Sequence, residues 1–182
     1  MFWKSPFTRM DPLAWSLLCA ALIHIIEEFV WPGGFKAWYR VYLPGIAASV
    51  TDRFLIGING VLLGFSALVA LAVQAPHGNG VAAWLSLAAL LFCNGFFHAL
   101  GTVQTRRYSP GVISGMLLYV PLAVYGFTHY VRSGRASVPT ALFAVLIGGS
   151  YHFVSYMNHL RRARIVKTRG IAARTSPIGT RE

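Results

Sequence analysis

Residues 81–100 read VAAWLSLAALLFCNGFFHAL, twenty consecutive positions without a charged side chain. An α-helix rises about 1.5 Å per residue, so a run of this length spans the ~30 Å hydrocarbon core of a bilayer. Four further apolar runs of similar length occur, at 12–30, 54–73, 111–131 and 140–160. Together the five runs predict an all-α, polytopic membrane protein, a five-transmembrane-helix bundle that forms one domain over residues 1–160.

The composition excludes a disordered chain and does not fit an ordinary cytosolic domain. Of the 182 residues, 55% are hydrophobic and 12% are charged, whereas soluble domains carry about 25% charged residues. The longest connection starts with Trp31-Pro32-Gly33-Gly34, which is typical of a helix end. It continues with aromatic residues mixed with Lys36 and Arg40. We therefore expect an interfacial segment in the first loop, with room for a short helix.

The basic residues predict the orientation in the membrane. Threading the chain through five spans puts twelve of the 16 Lys and Arg residues on one side. The positive-inside rule assigns that side to the cytoplasm, with the N-terminus outside and the C-terminus inside, in what we expect to be a bacterial inner membrane. The basic cytoplasmic tail, 161–182, is expected to bind anionic lipid headgroups and not nucleic acid. The twelve residues are Lys36, Arg40, Arg53, Arg106, Arg107, Arg161, Arg162, Arg164, Lys167, Arg169, Arg174 and Arg181.

Polar residues interrupt the first apolar run at His24, Glu27 and Glu28. At about 100° per residue, the three side chains fit within an arc of about 100° on one helix face. A carboxylate in hydrocarbon costs several kcal/mol, and two adjacent ones indicate either a functional site or a position at the membrane surface. A surface position for the glutamates would leave the deeper histidine unexplained, so we favour a site.

The other spans carry polar residues at helical spacing. The threading places nearly all of them, together with those of the first span, in the cytoplasmic half of the membrane. We infer one polar cavity that opens to the cytoplasm or the inner leaflet. The polar residues of these spans are Asn59 in the second, Asn94, His98 and Thr102 in the third, Ser114 in the fourth, and His152, Tyr156 and His159 in the fifth.

Three motifs in this order resemble a known family. They are His24-Ile25-Ile26-Glu27-Glu28, Asn94-Gly95-Phe96-Phe97-His98 and Tyr108-Ser109-Pro110-Gly111. The sequence resembles the HXXEE-domain family of integral membrane proteins from about residue 11 to residue 156. The resemblance implies one functional set but no particular reaction. That set is His24, Glu27, Glu28, Asn94, His98, Thr102 and Tyr108.

Three kinds of chemistry fit these residues. Imidazole and carboxylate ligands can hold a divalent metal, Zn or Fe, with a spare carboxylate as general base. Without a metal, two glutamates with different pKa values can serve as acid and base, as in the isomerisation of a sterol or polyprenoid. The cluster can also serve a small proton- or cation-coupled transporter or binding protein.

We favour the first chemistry, a metal-dependent hydrolase or oxidoreductase inside the membrane. Its substrate is expected to be a membrane lipid or another apolar small molecule, and glycine-rich helix faces leave room for a homo-oligomer. The expected catalytic residues are Glu27, Glu28, Asn94, Thr102 and Tyr108. The expected metal ligands are His24, Glu27, Glu28, His98 and His152.

Overall fold

A computed structural model describes residues 11–75 and 80–175 of the chain, with the backbone alone over 169–175. These residues form helices and connections without a strand, which confirms the predicted all-α fold. Five helical segments are long and apolar enough to cross a membrane. They are Pro12–Phe29, Asp52–Gln74, Gly80–Thr105, Val112–Arg132 and Val138–Thr168. The protein is therefore a membrane protein with five candidate spans.

The first span is helix α1 (Pro12–Phe29). Asp11 begins it, because its side chain accepts a hydrogen bond from the N–H of Leu13 and the following Pro12 has no N–H that would need an acceptor. The helix ends where Gly33, at φ 70°, donates its N–H to the carbonyl of Glu27 at 3.0 Å. The residues that interrupt this span therefore lie in its last two turns.

The first loop contains the expected short helix, α2 (Phe35–Tyr42), followed by a 3-10 turn over Ala47–Ser49. Phe35, Trp38 and Tyr39 are buried in the bundle, so this helix presents its aromatic face to the protein. The hydroxyl of Ser49 lies 2.6 Å from Nδ1 of His159. This contact joins the loop to the last span.

Helices α3 (Asp52–Gln74) and α4 (Gly80–Thr105) form the second and third spans. α4 is the central helix, since it packs against α1, α3, the fourth span and the last span. A Cβ atom on Gly95 would lie 2.9 Å from the carbonyl oxygen of Gly115, so only glycine allows the fourth span to approach α4 this closely. α4 also continues five residues past the predicted end at Leu100.

The fourth span has three parts: α5 (Val112–Ser114), one π-helical turn over Gly115–Tyr119, and α6 (Val120–Arg132). Pro121 lacks an N–H and cannot bond the carbonyl of Leu117, which accounts for the widened turn before it. The sequence predicted a regular helix here. The π turn brings Tyr119 into the interior, where it is 1% exposed.

The last helix, α7 (Val138–Thr175), is much longer than the predicted span of 140–160. It runs without a break into the basic segment, so the described part of the predicted tail continues the same helix. Residues 176–182, with Arg181, lie outside the described part of the chain, as do Lys4, Arg9 and residues 76–79.

The two ends of the bundle differ in charge. We call the end that carries Arg53, Arg106 and Arg161 the basic end, and the opposite one the distal end. At the distal end, the Asp11 carboxylate accepts hydrogen bonds from Tyr130 and Arg135. Beneath it lies a core of apolar side chains from α1, α3, α4 and α6, with Trp84 and Tyr130 fully buried. The centre of the distal half is thus filled by apolar side chains, while a shallow groove lies at its outer side between α6 and α7.

Candidate metal centre

Three side chains from two spans meet in the half of the bundle near the basic end. His24 and Glu28 lie one turn apart on α1, and His98 faces them from α4. Glu28 Oε1 is 3.2 Å from Nε2 of His98 and 3.6 Å from Nε2 of His24. One ligand atom from each residue lies within 4.8 Å of the others, and all three residues are buried. This group can hold a metal ion.

The orientation of both imidazoles is set by serines of the segment that follows α4. Nδ1 of His24 lies 2.8 Å from the hydroxyl of Ser114. Nδ1 of His98 lies 2.8 Å from the hydroxyl of Ser109. A histidine that binds a metal through one nitrogen commonly donates its other N–H to such a partner, which fixes its tautomer and its ring.

The Nε2 atoms of His24 and His98 are buried and have no hydrogen-bond partner. Nε2 of His98 is close enough to Glu28 Oε1 for a hydrogen bond, but an N–H on this nitrogen would not point at that oxygen. Two buried imidazole nitrogens without partners are costly unless something binds them. Both Nε2 atoms therefore suit a cation held jointly with the Glu28 carboxylate.

Glu27 faces away from this group and caps the fourth span. Its carboxylate accepts the backbone N–H groups of Gly111 and Ile113 at 3.0 Å and of Ser114 at 2.7 Å. The hydroxyl of Tyr108 donates to the same carboxylate at 2.5 Å. Glu27 thus holds the segment that carries both serines. Its carboxylate lies outside the group of His24, Glu28 and His98, which we call the metal-binding group because it could hold an ion.

Tyr108 remains protonated in this arrangement. Burial, followed by the hydrogen bond to Glu27 and the negative charge of that carboxylate, raises the pKa of the Tyr108 phenol well above its ordinary value. The phenol is therefore a donor at neutral pH. It neutralises no charge but satisfies one more lone pair of the buried carboxylate.

Gly111 closes the group on one side. It has φ 103°, a left-handed conformation that favours glycine. A Cβ atom at this position would lie 2.7 Å from Cε1 of His24 and 2.9 Å from Cε1 of His98. The two imidazoles can take their positions because residue 111 has no side chain.

Aromatic side chains from α2 cover the group at the basic end. Trp38 stacks on the ring of His98, with ring centroids 5.6 Å apart and planes inclined by 23°. Phe35 lies 5.9 Å from the same ring. The first loop therefore shields the imidazoles from the aqueous side and fixes the rotamer of His98.

A cavity of about 510 Å³ adjoins the group. Its walls come from α1, α2, α3, α4 and α7, and the π turn contributes Tyr119. His24 and Glu28 form part of its lining, together with many apolar side chains. This volume falls in the range of sites that bind small organic molecules. The candidate metal centre is accordingly open to a ligand on one side.

A family profile described as a protein of unknown function with an HXXEE motif matches residues 15–126. The chain belongs to the HXXEE family. Comparison with curated proteins and with solved structures gives no match.

In the structure, the three residues that name the HXXEE motif have two different environments. His24 and Glu28 belong to the metal-binding group, whereas Glu27 accepts hydrogen bonds from the backbone at the start of the fourth span. The matched region includes α4 and the segment with Ser109 and Ser114, so it covers the whole group and its hydrogen-bond partners.

The remaining predicted site residues lie around the metal-binding group. Asn94 lines the cavity, and its buried Oδ1 has no partner. The hydroxyl of Thr102 donates to the carbonyl of His98 at 2.9 Å and accepts the N–H of Ser109 at 3.2 Å. His152 also lines the cavity, but its Nε2 lies 3.2 Å from the carbonyl of Leu90, outside the metal-binding group.

Tyr119 and Trp38 contact the two histidines, although the sequence did not indicate a role for either residue. Tyr119 enters the interior through the π turn, and its ring centroid is 4.7 Å from that of His24. Pro121 was the available signal for an irregular helix. Trp38 reaches His98 from a segment expected to lie in the interface, and nothing in its spacing pointed to the group.

Proposed function

We propose that this HXXEE protein is a metal-dependent enzyme of the membrane that acts on an apolar small molecule. Nε2 of His24, Nε2 of His98 and the Glu28 carboxylate would hold one divalent ion. The proposal is carried by the two buried Nε2 atoms, which have no hydrogen-bond partner and lie with Glu28 Oε1 in one small group. Anchoring of both Nδ1 atoms by serines supports it.

The ligand set favours a catalytic ion over a structural one. Structural zinc sites have four protein ligands, whereas catalytic zinc commonly has three and an open position. Two histidines and one carboxylate are also the set that holds iron in non-haem oxygenases. A bound ion of either kind would polarise a substrate oxygen or activate a water molecule beside the cavity. Zn and Fe are therefore the two candidates.

The rest of the bundle argues against transport. Among the described residues, apolar side chains fill the centre of the distal half, where Trp84 and Tyr130 are fully buried. A transported solute would need a path through this core. Acid–base catalysis by Glu28 and the histidines without a metal remains the competing chemistry, and metal content separates the two.

The experiment is metal analysis of protein purified in detergent without chelator, alone and after incubation with Zn²⁺ or Fe²⁺. We expect about one ion per chain, lost in His98→Ala and in the isosteric Glu28→Gln. His152→Ala is the control, because His152 lines the same cavity outside the group, and it should keep the ion. Wild-type protein that takes up neither ion would overturn the proposal.

We further propose that the basic end faces the cytoplasm and that α7 meets anionic headgroups there. The positive-inside rule supports this orientation, since Arg106, Arg107 and the arginines of α7 share one end of the bundle.

A further inference from the structure

Two buried polar atoms in the wall of the cavity, besides those of the metal-binding group, have no hydrogen-bond partner. Tyr119 is 1% exposed, and its hydroxyl is buried without a partner. The buried Oδ1 of Asn94 also has no partner, and Asn94 lies one turn before His98 on α4. Both residues line the cavity. One phenolic donor and one amide acceptor are thus left for a ligand.

The charges of the lining side chains favour a neutral ligand over an anionic one. No Lys or Arg lines the cavity among the described residues, and the acidic lining residue is Glu28. The guanidinium of Arg162 lies 4.0 Å from the ring centroid of Phe54 and is not part of the lining. A phosphate or diphosphate head would have only the proposed ion to pair with, and no cationic side chain among the described lining residues would share its charge. A neutral head fits better.

The cavity opens sideways between α3 and α7. Both helices pack against α4, and their contact with each other lies at the basic end, where the Phe54 ring meets His159. Farther along, the lining residues Val61 and Phe65 on α3 are 66% and 49% exposed. Tyr156 on α7 is 45% exposed. Exposed residues of a membrane span face hydrocarbon, so the opening leads to the bilayer.

We infer that the cavity binds a neutral lipid alcohol, a long-chain or isoprenoid molecule with one hydroxyl head. This inference rests on the proposed function and names its substrate class. The hydroxyl accepts a hydrogen bond from Tyr119 and donates one to Asn94, beside the open position of the metal centre. The tail leaves between α3 and α7 along Val61 and Phe65. An alcohol can hydrogen-bond to both the Tyr119 hydroxyl and the Asn94 Oδ1 at once, whereas a hydrocarbon can bond to neither.

The test is photolabelling of the purified protein with a diazirine-bearing hexadecanol, followed by mass spectrometry of the labelled peptides. Labels are expected on α3 and α7. Unlabelled hexadecanol should compete, while hexadecane should not. Tyr119→Phe should weaken binding about threefold to tenfold, the effect of one hydrogen bond. Tyr130→Phe, a buried tyrosine of the distal core, is the matched control and should bind as the wild type does.

Metal content of the same samples separates this inference from the proposed function. Tyr119→Phe should keep its ion, because Tyr119 is not a ligand. Equal competition by hexadecane, or unchanged binding in metal-loaded Tyr119→Phe, would overturn the lipid-alcohol inference and leave the metal centre standing. Alcohol binding that depends on Tyr119 in a protein without metal would overturn the metal-dependent function alone.

Discussion

Glu27 and Glu28 are adjacent in sequence, yet their carboxylates belong to different structures. Glu28 Oε1 lies 3.2 Å from Nε2 of His98, whereas Glu27 accepts three backbone N–H groups and the phenol of Tyr108. Neighbouring side chains on a helix diverge by about 100°, so the two acids point to different elements of the bundle. One carboxylate faces the candidate metal centre, and the other holds the segment that supports it.

This division predicts opposite phenotypes for two isosteric substitutions. Glu28→Gln removes a ligand and a buried charge, so metal binding should fall at least tenfold, while the melting temperature of the metal-free protein stays the same or rises. Glu27→Gln replaces charge-assisted hydrogen bonds by weaker ones and presents an amide N–H to other donors, which should destabilise the protein by about 1–3 kcal/mol. Metal content and thermal unfolding in detergent measure the two effects. Glu27→Gln that melts as the wild type does would contradict the capping role.

The serines that anchor the imidazoles predict a loss of affinity without a loss of fold. Ser109→Ala and Ser114→Ala each remove the partner of one Nδ1 atom, and loss of a group that holds a ligand histidine in place weakens metal binding roughly 10- to 100-fold. Ser86→Ala is the control, since the hydroxyl of Ser86 bonds only the carbonyl of Ala82 on the exposed face of α4. Titration with Zn²⁺ of the three variants gives the comparison. Equal affinities would mean that the serines do not orient the ligands.

Much of the fold could be predicted because each apolar run of about twenty residues marks a helix long enough to cross a membrane. The runs at 81–100 and 54–73 correspond to α4 and α3, and the turn at Trp31-Pro32-Gly33-Gly34 ends α1. The extra turn of α4 was missed since Thr102 and Thr105 read as polar. Their hydroxyls bond carbonyls of the preceding turn, which lets the helix continue.

The sequence predicted which residues form the site, but it did not predict that Glu27 and Glu28 have different roles. The helical spacing of His24, Glu27 and Glu28 places all three near one face, but an arc of about 100° is wide enough to send two carboxylates to different neighbours. What lies on each side depends on the path of the segment after α4. That path is set by Gly111 in a left-handed conformation and by the π turn before Pro121, neither of which has a periodic signal.

The orientation of the bundle is open to a direct test. A reporter that is active only in the cytoplasm, fused after Glu182, should be active, and the same reporter at the N-terminus should be inactive. The reason is the asymmetry of twelve basic residues against four between the two sides. A periplasmic reporter should give the reverse pattern. Both ends on one side would contradict a bundle with five crossings.

Gly111 offers the sharpest test of the geometry of the centre. A methyl group at residue 111 would lie 2.7 Å from His24 and 2.9 Å from His98, so Gly111→Ala must displace at least one imidazole. The left-handed φ of 103° adds backbone strain of about 1–2 kcal/mol. Gly134→Ala separates the two effects, because Gly134 has φ 73° and no atom within 4 Å of its Cβ position.

Both alanine variants should melt at lower temperature through strain, with Gly111→Ala the less stable of the two because it adds crowding. Only Gly111→Ala should lose metal binding, by at least tenfold, since only its methyl group reaches the ligands. Zn²⁺ titration beside thermal unfolding measures both properties on the same samples. If Gly111→Ala binds metal as tightly as Gly134→Ala does, the ion is not held by the Nε2 atoms of His24 and His98, and the assigned ligand set is wrong.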